Sequence, residues 1–137
     1  MTDCIFCKIV RGEIPSSPVL ETDAVLAFLD INPVSKGHTL VIPKVHYAAF
    51  TEMPAAVLTQ LGEALQQIGS AATAQLSSAG FNIILNNGSA AGQLIDHAHF
   101  HLIPRTLADG VMDWPEVRPY AEGEMETIRQ KLAGAVR

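Results

Sequence analysis

Five histidines occur in this chain of 137 residues, and three stand at alternate positions, His97, His99 and His101, in the stretch DHAHFHLIPR from Asp96 to Arg105. Ala98, Phe100 and Leu102 fill the places between and after them. That period of two predicts a β-strand with one buried face and three imidazoles projecting from the other, each roughly 7 Å from the next. Imidazoles in a row can hold a catalytic zinc with a position left open for water. They can also do covalent chemistry, one ring attacking phosphorus while its neighbours fix its tautomer and supply protons. A third possibility is a module that holds a nucleotide without turning it over. The plain alternative is a solvated polar strand face.

A second set of reactive residues is the pair Cys4 and Cys7 near the start, a CxxC. It can be a zinc half-site, a redox pair or two small buried hydrophobes. A thioredoxin-like pair would follow a strand, and none precedes this one, so zinc stands ahead of redox. His46, just past an expected strand, reads by itself as an exposed loop residue. His38 opens that strand, where loops carry ligands. Asp30 closes an apolar run and reads as a turn carboxylate or as an acceptor for a ligand hydroxyl; composition favours the turn. The small-residue loop Asn86-Asn87-Gly88-Ser89-Ala90-Ala91-Gly92-Gln93 can expose backbone N–H groups to an anion, or be an ordinary hairpin turn. It lacks the lysine and hydroxyl of a P-loop, and no helix follows it. Its place beside three histidines favours a phosphate or oxyanion site.

The elements that must position these residues follow from the pattern. Cys7 to Val10 is a short helical turn stopped by Gly12 and Pro15. Val19 to Glu21 and Ala24 to Asp30 form a hairpin about Thr22-Asp23, its second strand apolar enough to be covered on both faces. His38 to Pro43 is a third strand, which Pro43 ends or places at an edge. Pro54 to Leu76 is the one long helix, with Val57, Leu58, Leu61, Leu65, Ile68, Ala72 and Leu76 on one stripe, Pro54 in its first turn and Gly80 as its stop. Phe81 to Leu85 is a fourth strand and the histidine run a fifth. Beyond Arg105, Trp114, Pro115 and Pro119 predict a loop. Glu122 to Val136 predicts a C-terminal helix, with Met125, Ile128, Leu132 and Ala135 on one side to pack on the domain or on a partner subunit.

Composition bounds the answer. With 48% hydrophobic and 17% charged residues, the chain is globular rather than disordered. A formal net charge of −5 and no basic stripe exclude a duplex-DNA binder. No apolar run nears the roughly 20 residues that span a bilayer. The start MTDCIFCKIV has no signal-peptide pattern, so the expected compartment is the cytoplasm, where a structural disulfide between Cys4 and Cys7 is not expected. One domain is expected over 1–137, with a core from 4 to 105 and a tail from 106 to 137.

Gly92-Gln93 followed by His97-Ala98-His99-Phe100-His101-Leu102-Ile103 resembles the histidine-triad signature. CIFCKIVRGEIP, AFLDINPVSKGHTLVIPK and the NNG before Gly92-Gln93 resemble the Hint branch of that superfamily, in the family's order, across roughly residues 4 to 105. The resemblance implies an α+β fold with a five-stranded antiparallel sheet, one long helix and a C-terminal helix, the sheet continuing across a homodimer. It implies hydrolysis of nucleoside 5′-phosphoramidates or related monophosphate conjugates of a purine nucleoside, through a nucleotidyl-histidine formed on His99. His101 and His38 would touch the phosphate and assist proton transfer, and His97 completes the catalytic set beside its part in the metal site. Asp30 would bind the ribose, with Phe28 and Ile31 near the base, and Asn86, Gly92, Gln93 and Leu94 around the phosphate. It further implies a structural zinc on Cys4, Cys7, His46 and His97, closed and away from the bond-breaking step. Alternatives are a dinucleoside polyphosphate hydrolase of the Fhit type and a nucleotide-binding regulator with incidental turnover. Two departures stand out: Leu94 replaces a usual serine or threonine, and Asp96 replaces a position that is more often aromatic or apolar.

Overall fold

In the computed structural model, which describes residues 3–111 and 115–136, alternation along the central strands splits the core into two layers. Trp114 lies outside the described residues. The order is α1 (Ile5–Val10), β1 (Pro18–Glu21), β2 (Val25–Leu29), β3 (Thr39–Pro43), α2 (Ala55–Gln75), β4 (Gly80–Leu85), β5 (Phe100–Arg105) and α3 (Glu124–Ala135). The five strands form one sheet in the order β1-β2-β3-β5-β4, and every neighbouring pair is antiparallel. The fold is therefore α+β.

β2 and β3 show how sequence becomes layering. Val25, Ala27 and Val41 point to one face and join Ala98 and Leu102 against Leu61, Ala64, Leu65 and Ile68 of α2. Leu26, Phe28, Leu40 and Ile42 point to the other face and pack with Phe6 of α1. The apolar run of β2 is covered on both sides, as expected. Burying a large aliphatic side chain is worth roughly 1.5–3 kcal/mol, so these few rows dominate the fold's stability. α2 lies tight on the sheet: a Cβ on Gly69 would come within 2.4 Å of the Phe81 ring.

Several expectations need correction. The paired strand β5 begins at Phe100, so His97 and His99 precede it. β3 ends at Pro43, which has no N–H to continue the ladder, and Ala98 donates instead to the Tyr47 carbonyl at 2.7 Å. The alternation still holds: Ala98 and Leu102 face α2, and the imidazoles face away from it. They are not a solvated row, because His97 and His99 are buried. Gly80 does not stop α2. Leu76 caps the helix, Ser77 takes the positive φ of 55° that turns the chain, and Gly80 opens β4. Leu76 ends the stripe half exposed rather than in the core. Pro54 is the N-cap rather than a first-turn residue. α3 forms close to where it was expected, but none of its residues is buried, and Met125 and Leu132 are exposed. No described helix is long and apolar enough to cross a membrane.

Candidate active site

The imidazoles fall into two groups, and the main chain around each assigns its tautomers. His97 is fully buried, and its Nε2 lies 2.8 Å from the Pro43 carbonyl oxygen. A carbonyl only accepts, so Nε2 carries the proton and Nδ1 presents a lone pair. That lone pair faces Cys4 Sγ at 3.4 Å and Cys7 Sγ at 3.7 Å, and Cys7 Sγ lies 3.4 Å from His46 Nδ1. One ligand atom from each of Cys4, Cys7, His46 and His97 lies within 4.8 Å of all the others. A tetrahedral ion with bonds of about 2.0 Å to nitrogen and 2.3 Å to sulfur needs neighbouring ligand atoms about 3.5 Å apart. The four residues therefore fit a metal, and the bond from His97 Nε2–H to the Pro43 carbonyl would hold the ring with its Nδ1 toward the ion. Burial pushes the His97 pKa down, keeping the ring neutral. Burial and contact with Cys4 push the Cys7 thiol up. His46, read by itself as an exposed loop residue, is half-buried and belongs to this group.

The second group is built with the opposite polarity. The Val34 N–H donates to His38 Nδ1 at 3.2 Å. His38 must then carry its proton on Nε2, which lies 2.9 Å from His101 Nδ1 and 3.7 Å from Asp30 Oδ2. Donation into His101 Nδ1 leaves the His101 proton on Nε2. The result is a directed chain from the Val34 amide through two neutral rings to one outward N–H. An extra proton on His101 Nδ1 would confront the His38 N–H across 2.9 Å. Burial first, and the neighbouring His99 and His38 next, hold the His101 pKa down to about 4, and burial lowers that of His38 as well. Asp30, His38 and His101 also cluster closely enough to suggest a metal, but a ligating His38 Nε2 would need its proton moved to Nδ1, against the Val34 N–H. The hydrogen bonds of this group order its protons in one direction and disfavour a metal on His38 Nε2.

His99 stands between the groups. Its Nδ1 lies 2.8 Å from the carbonyl oxygen of His97, so Nδ1 carries the proton and Nε2 is bare. Its ring meets Phe6 edge-on at 5.1 Å and His101 at 5.0 Å. His99 and His101 line a cleft of about 440 Å3 together with Phe28, Asp30, Ile31, Gly92 and Leu94. Seven residues named from the sequence thus meet in one cavity. Asp30 satisfies both of its readings in part: Oδ1 accepts from the Asn32 N–H at 2.8 Å as a turn residue, while Oδ2 faces the relay. Gly92 has φ +94°, a conformation that side chains rarely adopt, and it lets the loop fold over the Asn86 amide.

Other expected residues sit elsewhere. Gln93 does not line the cleft; its amide accepts from Gly88 N–H at 2.8 Å and donates to the Ala48 and Ile95 carbonyls at 2.9 Å. It braces the loop. Asn86 lies behind Gly92, outside the lining. Asp96 is exposed and lines a neighbouring groove with Asp3, Cys4 and His46. Sequence reasoning missed the N-terminal wall: Ile5, Phe6, Ile9, Ile14 and Pro15 line the cleft opposite β2. The signal available is the apolar pair Ile5-Phe6 inside the CxxC.

The HIT domain model matches residues 11–107, a span that includes β1 to β5 and all three histidines. This chain belongs to the HIT family. An uncharacterized HIT-like protein of Methanocaldococcus jannaschii is 50% identical over 116 residues, covering 84% of this chain and 89% of that one. The adenosine 5′-monophosphoramidase of Schizosaccharomyces pombe is 37% identical over 137 residues, covering 98% of each. Among solved structures, a HIT family protein of Bacillus subtilis superposes with a TM-score of 0.90 at 38% identity over 98% of each chain. A zinc-bound histidine triad protein of Mycobacterium smegmatis gives 0.78 at 36% identity, covering 97% of this chain and 95% of that one. The CxxC and the triad of this HIT protein thus lie on a fold shared along nearly its whole length.

Proposed function

We propose that this HIT protein hydrolyses nucleoside 5′-phosphoramidates, or transfers the nucleotidyl group from related monophosphate conjugates of a purine nucleoside, with His99 as nucleophile. The observation that carries this reading is the bare Nε2 of His99, its other nitrogen committed to the His97 carbonyl, in a cleft shared with one outward imidazole donor. The activity for which the Schizosaccharomyces pombe relative is named supports the substrate class.

In the first step Nε2 of His99 attacks the α-phosphorus, the N–P bond forms, and the bond to the leaving amine breaks. The ring gains positive charge, which the Nδ1–H bond to the His97 carbonyl stabilises. The Nε2–H of His101, aimed outward by His38, bonds the phosphate oxygens as charge builds. The departing amine takes a proton from water. In the second step water attacks phosphorus, loses a proton to solvent, and releases the monophosphate from His99. Asp30 takes the ribose hydroxyls, Phe28 and Ile31 flank the base, and the Leu94 N–H faces the phosphate. Cys4, Cys7, His46 and His97 hold a structural zinc, which fixes the N-terminus on the histidine segment and takes no part in bond breaking.

The whole of 1–137 is read as one domain in a homodimer in the cytoplasm. Support for the dimer comes from β4, an edge strand exposing Phe81 and Ile83. The test is turnover of adenosine 5′-phosphoramidate beside a diadenosine polyphosphate, repeated with His99→Ala. The phosphoramidate is expected to be the better substrate, and His99→Ala should lose about 10^4-fold or more in kcat while still binding the monophosphate. Faster turnover of the polyphosphate would favour the Fhit type, and nucleotide binding without turnover of either would favour the regulator.

A further inference from the structure

The cleft offers a phosphate no fixed positive charge. Among the described residues its lining contains neither lysine nor arginine, and its one formal charge is the carboxylate of Asp30. The neighbouring groove, which shares Leu94 and Ile95 with the cleft, adds Asp3 and Asp96. His38 and His101 face each other with one proton between them, and a second proton there would set two N–H groups head to head. α1 contributes Ile5, Phe6 and Ile9 to the lining and β3 contributes Leu40, none of them charged. His99, whose Nδ1–H is spent on the His97 carbonyl, presents a lone pair. What remains for the phosphate is one imidazole N–H and backbone amides.

We infer that the cleft is built for a phosphate carrying a single negative charge, and so discriminates against the dianionic monophosphate that its own reaction releases. The inference rests on the phosphoramidate reading for the identity of that product. A phosphoramidate ester has one ionised oxygen at phosphorus. Its hydrolysis product loses a second proton with a pKa of about 6. Near neutral pH the second charge appears only after the bond to His99 breaks, beside Asp30 and a relay that stays neutral. Repulsion in a partly dehydrated cleft then favours release. The same charge count weighs against any conjugate that carries further phosphates on its leaving group.

The test compares binding of adenosine 5′-monophosphate with that of its phosphate methyl ester, which is singly charged throughout, by calorimetry on the full chain at pH 5.5 and 7.5. Both ligands meet the same protein groups, so the ratio of their Kd values removes every effect common to a singly charged phosphate and reads the cost of the second charge. That ratio is expected to grow about tenfold in favour of the ester as pH rises. A Leu94→Lys variant, which puts an ammonium at the cleft rim, should cut the ratio at pH 7.5 severalfold. A ratio that is constant or falls with pH overturns the inference, as does failure of the methyl ester to bind at either pH. Hydrolysis of adenosine phosphoramidate, followed in parallel, reports on the proposed activity separately: turnover with a flat ratio keeps the enzyme reading and removes this one.

Discussion

His97 and His38 are both buried imidazoles at the ends of the same strand, β3, and they are built for opposite work. At the Pro43 end, a carbonyl takes the His97 Nε2 proton and leaves Nδ1 free to join two thiols and a second ring. At the Thr39 end, an amide occupies the His38 Nδ1 lone pair and drives the proton to Nε2, toward His101. One main-chain group, donor or acceptor, separates a ring whose lone pair can ligate a metal from one whose proton is aimed at a neighbouring ring. Clustering of metal-ligating side chains is therefore not sufficient evidence for a metal centre. Four such residues meet at one end and three at the other, and only the set of four has its lone pairs aimed at a common point.

The largest expected effect comes from breaking the metal group. Cys7→Ser, or removal of bound zinc by a chelator, should lower the melting temperature by on the order of 10 °C, because a lost structural ligand costs several kcal/mol. Turnover per folded molecule should stay close to normal below the new transition. Immediate loss of activity in a chelated protein with an unchanged circular dichroism spectrum would make the metal catalytic and collapse the distinction between the two groups.

At the other end, His38→Ala should leave the melting temperature nearly in place while lowering kcat by about 10^2-fold, since His101 loses the partner that fixes its tautomer. A fall in Tm as large as that of Cys7→Ser, with kcat preserved, would show that the relay is packing and not chemistry.

The smallest effect is on stability against pH. His101, with its pKa held at about 4, and His38, also lowered, bind fewer protons folded than unfolded, where a free imidazole titrates near 6.5. Their contribution is complete above pH 6.5 and is lost as pH falls from 6.5 toward 4. Urea midpoints at pH 7.5, 5.5 and 4.5 should drop in that order, and the drop should be smaller in His38→Ala. An unchanged or rising midpoint would contradict the neutral relay.

Much of the fold was legible because burial writes period into sequence. β2 reads as a strand covered on both faces since Val25 to Phe28 are all apolar, and α2 reads from its stripe. Element ends were less legible. Ser77, not Gly80, turns the chain after α2, since a short connection to β4 left Gly80 needed in the strand. The inward role of the loop was half legible: Gly92 faces the cleft, but Gln93 spends its amide on Gly88, Ala48 and Ile95. Which atoms a polar side chain satisfies depends on backbone that is distant in sequence, and no local pattern encodes it. The wall made by α1 was invisible for the same reason, since Phe6 meets His99 only after 93 residues of chain have folded back.

By itself the sequence determined that three imidazoles share one side of an extended segment, because alternate residues of extended backbone must. It also determined, through the motifs around them, the family to which the chain belongs. Tertiary structure alone decided that these imidazoles are not equivalent. The Pro43 carbonyl, the His97 carbonyl and the Val34 amide each fix where one ring keeps its proton, and a proton's position sets what the opposite nitrogen can do.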